Sequence, residues 1–262
     1  MKIAHVSDIH FGRIAFPHIL DALIEDVAQA NVDMVAVSGD LTQRALHKQF
    51  REALAFLNRF TAPYMVVPGN HDVYPWWSPW MRLVKPVARF QTYFGADLVR
   101  THEQEGLAVM GFNSAHGLTI KGGKVTSAIV RGISDFFDRQ PAGAFKVLML
   151  HHHLTTLEGL IPHDISINGT EALAAAQASQ VDLILCGHAH VSHVESLEID
   201  NEKGPVVASA GTATSSRGRR SNRHRNFYNL IEILPGAYSI HERTYKPDDQ
   251  CFAQSRTFHF NR

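Results

Sequence analysis

Five short apolar runs in this chain each stop at residues that bind metal ions, and that recurrence restricts its fold more than any other feature. Ile3-Ala4-His5-Val6 leads to Asp8 and His10, and Met34-Val35-Ala36-Val37 leads to Gly39-Asp40. Tyr64-Met65-Val66-Val67-Pro68 stops at Gly69-Asn70-His71-Asp72. Val147-Leu148-Met149-Leu150 runs into His151-His152-His153, and the run ending at Cys186 opens onto Gly187-His188-Ala189-His190. Short β-rich runs closed by Gly or Pro read as buried strands. Strands that all end in Asp, Asn or His place those side chains in the crevice beyond their carboxyl ends, where open α/β sheets carry their sites.

The segments between these runs have helical spacing. Ile19, Leu20, Leu23, Ile24 and Val27 recur along Pro17 to Ala30, and Phe50, Leu54 and Leu57 share a face over His47 to Phe60. A β-α-β-α-β order implies a parallel sheet with crossover helices. Further on, Tyr74 to Trp80 is a Pro-broken loop holding all three tryptophans. Met81 to Phe94 reads as a helix bent at Pro86, Leu107 to Phe112 as a strand and Thr126 to Arg139 as a helix. Leu154 to Asn168 is irregular, and Thr170 N-caps a helix to Ala178. After His190 four strand-like runs (193–199, 206–210, 226–233 and 238–245) joined by turns point to a second, more antiparallel sheet.

Composition sets the class. With 262 residues, 45% of them hydrophobic, the chain can bury a large core. Formal net charge is zero, so no overall field recruits nucleic acid or an anionic membrane. Two cysteines build no disulfide framework, and Cys186 reads as a small core residue. No apolar stretch approaches the roughly 20 residues of a membrane span, and the sequence enters its first strand with no apolar leader, so a cytoplasmic protein is expected.

Together the strand ends offer seven oxygen and nitrogen donors and no thiolate: Asp8, His10, Asp40, Asn70, His151, His188 and His190. Such a set suits Mn, Fe, Zn or Co. Seven donors are too many for one tetrahedral ion and suit two ions bridged by one carboxylate, best Asp40. Two ions roughly 3.5–4 Å apart serve in-line attack at phosphorus.

The ordered series Asp8-x-His10, Gly39-Asp40, Gly69-Asn70-His71-Asp72, His151 and Gly187-His188-x-His190 resembles the calcineurin-like metallophosphoesterase superfamily. Within it, size and motif forms look most like the class III cyclic-nucleotide phosphodiesterases and related bacterial phosphodiesterases. The resemblance runs over about residues 1–233. It implies a four-layer α/β/β/α sandwich, with two mixed β-sheets flanked by helices, in one domain over 1–262. Residues 233–262 would be C-terminal strands or a tail, with an oligomer contact as one use. It also implies a dinuclear centre in which a metal-bridging hydroxide attacks phosphorus. One ion would take Asp8, His10, Asp40 and His190, the other Asp40, Asn70, His151 and His188, most readily as Mn or Fe with Zn or Co as alternatives. Asn70 and His71 would meet the substrate, His71 would stabilise or protonate the departing oxygen, and Asp72 would orient His71. Relatives with His-His-Pro-Pro after the fourth strand differ from His151-His152-His153-Leu154 here, which leaves His152 as the alternative ligand.

The expected substrate is a small phosphodiester such as a cyclic nucleotide. Glycerophosphodiesters, lipid headgroups, phosphomonoesters and nucleic acid are the alternatives, and a binding scaffold on the same fold is the non-enzymatic one. No stable nucleic-acid partner is expected, and a homodimer stays open. Ser215 to Arg225, with five arginines, reads either as a solvated loop or as an anion-steering patch. Tyr74 to Trp80 either walls the pocket or makes a core or oligomer contact.

Overall fold

Alternating apolar runs and amphipathic helices demand a parallel core, and a computed structural model of the chain has it in duplicate. It describes residues 1–119, 121–156, 165–199, 201–218 and 224–262. The first part of the chain gives β1 (Lys2–Val6), α1 (Ile19–Ala30), β2 (Met34–Val37), α2 (His47–Leu57) and β3 (Tyr64–Val66). Next come α3 (Pro79–Val84), α4 (Ala88–Phe94), β4 (Val99–Gln104), β5 (Leu107–Phe112) and α5 (Ser127–Phe137). After these follow β6 (Phe145–Met149), α6 (Gly169–Ala178), β7 (Leu183–Cys186), β8 (His193–Ile199) and β9 (Glu202–Ser209). Three strands close the series: β10 (Phe227–Leu234), β11 (Ala237–Lys246) and β12 (Cys251–Asn261).

One sheet has the order β12-β11-β10-β1-β2-β3, the other β4-β5-β6-β7-β9-β8. The β1, β2 and β3 strands are parallel, as are β5, β6, β7 and β9. The strands after His190 do not form a sheet of their own, as their pattern implied. β8 and β9 join the second sheet, whereas β10 pairs antiparallel with β1, Lys2 opposite Glu232, and carries β11 and β12 outward. Each parallel block leaves an edge open, and the later strands complete whichever edge their apolar faces match.

Side chains alternate across each strand, so one strand feeds two cores. On β1, Ile3 points between the sheets with Met34, Val109, Val147, Leu185 and Ile231. Ala4 and Val6 face outward to Leu23 of α1, Phe50 of α2 and Phe90 of α4. On the far side, Ile133 and Phe137 of α5 and Leu173 of α6 cover the second sheet. The layers are therefore α/β/β/α.

Local expectations were revised in three places. The helix expected over Met81 to Phe94 is broken rather than bent, because Pro86 separates α3 from α4 and its carbonyl accepts from Tyr74 N at 2.8 Å. β4 was not anticipated. Helix α6 is N-capped by Asn168 in the left-handed region (φ 57°), which places Thr170 inside the first turn. Of the two alternatives for residues 233–262, strands are what forms: Ala237–Lys246 and Cys251–Asn261 pair in the first sheet.

Candidate metal centre

The loops after β1, β2, β3, β6 and β7 converge, and each carboxylate there divides its two oxygens. Asp8 Oδ2 accepts from Ser7 Oγ (2.7 Å) and His188 N (3.0 Å). Its Oδ1 lies 3.0 Å from His190 Nε2 and 3.5 Å from His10 Nε2. Asp40 Oδ1 accepts from His71 N at 2.8 Å, and its Oδ2 lies 3.5 Å from His10 Nε2 and 3.4 Å from His151 Nε2. Asn70 Oδ1 is 3.2 Å from His151 Nε2 and 3.0 Å from His188 Nδ1. Asp8 Oδ1 and Asp40 Oδ2 are buried without a hydrogen-bond partner.

The imidazoles show what those oxygens are for. His10 Nδ1 donates to Thr42 O (3.3 Å), His151 Nδ1 to Ser38 O (2.7 Å) and His190 Nδ1 to Arg217 O (2.8 Å). A proton committed to Nδ1 leaves a lone pair on Nε2, the usual arrangement of a metal-binding histidine. Here His10 Nε2 and His190 Nε2 face each other at 3.1 Å, beside an orphaned carboxylate oxygen. Acceptors pointed at acceptors in a buried site require a cation between them. Asp8, His10, Asp40 and His190 hold their donor atoms within 4.8 Å of one another. Asp40, Asn70, His151 and His188 surround a second point, with Asp40 Oδ2 on the boundary. The residues fit two ions.

Electrostatics agree with that fit. Burial opposes charge on Asp8 and Asp40, yet the imidazoles around them hold both well below the usual carboxylate range. Burial likewise opposes charge on His151, but Asp40 and Asp8 push it up to about 9, so a proton stands where a cation belongs. His152 is placed differently. Its Nδ1 bonds Ser114 Oγ at 2.9 Å and its ring packs on His151 and His188. It shares a three-histidine group with them, but it is His151 that reaches Asp40 and Asn70.

The backbone is bent to reach this geometry. Asp8, His10, Asp40, His188 and His190 all have φ between 52° and 68°, a region that costs a non-glycine residue about 1–3 kcal/mol. Gly187 is required beside them, since a Cβ there would stand 1.9 Å from Ser7 Oγ and 2.6 Å from Asp8 Oδ2.

His71 lies at the rim. Its Nδ1 bonds Gln43 O at 2.9 Å, and Arg217 Nη1 donates to its Nε2 at 2.9 Å. Burial, reinforced by His10 and Arg217 against the pull of Asp40, takes this imidazole down to about 4. Asp72 does not orient it, contrary to expectation. The Asp72 carboxylate accepts from Leu41 N (3.1 Å), Thr42 N (2.9 Å), Thr42 Oγ1 (2.9 Å) and Gly69 N (3.0 Å), tying the loop after β3 to the loop after β2. Its chain direction after His71 turns it inward, away from the ring.

A pocket of about 290 Å³ opens over Asp40, Asn70, His71, His188 and His190, walled by Pro75 and Trp76 and by the cations Arg44, Arg82, Lys121 and Arg217. Of the arginine-rich loop, Arg217 is in place, while Arg219 and Arg220 lie outside the described residues. Sequence reading missed Arg44, Arg82, Lys121 and Gln43. Each is a single residue in an unremarkable context, and only the tertiary fold gathers them.

The family model described as calcineurin-like phosphoesterase matches residues 1–192. The chain belongs to this family. Among calcineurin-like and related proteins, the "DNA double-strand break repair protein Mre11" of Haloferax volcanii is 25% identical over 97% of this chain and 54% of its own length. The "Probable cyclic nucleotide phosphodiesterase" of Vesicomyosocius okutanii subsp. Calyptogena okutanii is 20% identical over 71% of this chain and 75% of its own. A solved purple acid phosphatase, PPD1 from yellow lupin (Lupinus luteus) seeds, superposes with a TM-score of 0.76 at 14% identity, covering all of this chain and 53% of that one. At that identity the likeness is one of fold. The chain spans about half the length of the Mre11 relative and of the phosphatase.

Proposed function

We propose that the protein is a metal-dependent phosphodiesterase acting on small diesters, cyclic nucleotides among them. The observation that carries this reading is the pair of orphaned oxygens, Asp8 Oδ1 and Asp40 Oδ2, set among inward-facing imidazole lone pairs. Two divalent ions, Mn or Fe first and Zn or Co next, would supply positive charge for the phosphoryl oxygens and acidify the attacking water. Asp8, His10, Asp40 and His190 would hold one ion, and Asp40, Asn70, His151 and His188 the other. His71 and Arg217 face the phosphoryl group from the open side. Arg217 can pass its hydrogen bond from His71 Nε2 to a phosphate oxygen, and a His71 imidazole protonated beside that anion can donate to the leaving oxygen. Arg44, Arg82 and Lys121 draw the anion in. The pocket's size suits a small substrate, and the phosphodiesterase relative favours a diester.

Metal-free protein given Mn, Fe, Zn or Co and assayed on bis-p-nitrophenyl phosphate and on the monoester tests this. Hydrolysis that requires added metal and is faster on the diester supports it. Monoester preference would recast the protein as a phosphomonoesterase, and inactivity with every metal would make it a binding scaffold. A plasmid-DNA arm addresses the reading that the repair-protein relative raises.

A further inference from the structure

All three tryptophans of the chain are exposed, and one of them, Trp76, lines the metal pocket. Trp76 and Trp80 are 74% and 72% exposed and Trp77 is 51% exposed. Trp76 lines the pocket and meets Trp77 edge to face at 5.7 Å. Leu83 and Val84 on α3 and Leu118 from the loop after β5 are also exposed. Arg82 locks these segments together by donating to Tyr74 O (2.7 Å) and Thr119 O (2.8 Å). Gly117 packs so closely there that a Cβ would stand 1.9 Å from Arg82 O. Six large apolar side chains are therefore exposed on segments that Arg82 ties together, where water partners them poorly.

Charge identifies what covers this face. The stretches that carry the six apolar side chains, residues 76–85 and 116–121, hold Arg82, Lys85 and Lys121 and no Asp or Glu. The chain as a whole is neutral, so its carboxylates are segregated elsewhere. Arg44 lies 5.9 Å over the Trp77 ring, Lys85 ends α3 exposed, and Arg82 and Lys121 line the pocket. Tryptophan prefers the membrane–water interface, and apolar residues bordered by cations match an anionic lipid surface. A second copy of the chain would set these cations against their own images.

We propose that this face docks on an anionic phospholipid bilayer and holds the metal pocket against the lipid surface. The docking rests on residues outside the ligand set and stands independently of which phosphoester the pocket cleaves. No described helix is long and apolar enough to cross a membrane.

Intrinsic tryptophan emission reports this face alone, because the chain has no other tryptophan. Metal-loaded protein is titrated with vesicles of phosphatidylcholine, with and without phosphatidylglycerol. A blue shift on the phosphatidylglycerol vesicles, quenched by brominated acyl chains and weakened by salt, is the expected result. Trp80→Glu with Leu83→Glu should weaken vesicle affinity about tenfold or more, with metal content and turnover of soluble bis-p-nitrophenyl phosphate unchanged. Any of three results overturns the proposal: no shift with phosphatidylglycerol vesicles, equal binding to neutral vesicles, or undiminished binding by the doubly substituted protein. A shift that follows protein concentration without vesicles assigns the face to self-association instead. Vesicle binding by a protein inactive on every ester would refute the phosphodiesterase reading and leave the docking intact.

Discussion

Asp40 and His71 are joined by one hydrogen bond, from His71 N to Asp40 Oδ1, yet the proposed function gives their side chains separate tasks, and paired variants separate them. Asp40→Ala removes the oxygen that would be shared between the two proposed ions, so elemental analysis should show loss of both metals and turnover should fall to background. His71→Ala should keep both metals while turnover falls about 10²–10⁴-fold for alkoxide leaving groups and less for p-nitrophenolate. Two metals retained in Asp40→Ala, or one lost in His71→Ala, would overturn the assignment. The donors themselves were legible in the sequence because each follows a strand, where chain geometry fixes which way the next residue points. Asp72 was not, because its direction depends on the turn at Gly69 and on the amides of Leu41 and Thr42, which are remote in sequence. The three histidines in a row were separable only by their tertiary neighbours, Asp40 for His151 and Ser114 for His152.

Among the elements, helices were readable because their burial is periodic, as in Ile19, Leu23 and Val27 of α1, and parallel strands because they are buried on both faces and read as unbroken apolar runs, as in Met34–Val37 of β2. β4 escaped because Val-Arg-Thr-His-Glu-Gln is an edge strand with exposed and half-buried positions only. The β11–β12 hairpin carries a charge pair that makes its own prediction. Glu242 is buried, bonded to Ser192, Arg256 and, at 2.6 Å, Ser255. Burial opposes its charge, but the Arg256 guanidinium and the two hydroxyls hold it below its ordinary value. A carboxylate lowered on folding stabilises above its unfolded pKa of about 4.3 and loses that contribution as pH falls through its folded value. Glu242→Gln should therefore cost about 1–2 kcal/mol near neutral pH, less than a fully buried pair because Arg256 is half exposed. The gap to the parent protein should shrink below about pH 4. Thermal melts across that range decide it, and a gap independent of pH would assign the loss to packing.

For the molecule as a whole, like-facing acceptors at the centre make the metals part of the fold's stability. Ligand that binds only the native state at 100 times its Kd adds about 2.7 kcal/mol, so chelation should lower the Tm and added Mn should raise it with concentration. An unchanged Tm would argue that the centre is complete without ions. The same centre has a consequence for how the protein is made. β1 holds Asp8 at its end, but its outer edge waits for β10, whose Glu232 pairs with Lys2, and His190 waits for the carbonyl of Arg217. A ribosome therefore releases most of the ligands long before the strand and the loop that fix them have emerged. A half-synthesised chain thus lacks both the edge strand beside β1 and the carbonyl that orients His190, and the centre closes only when the last strands have been added.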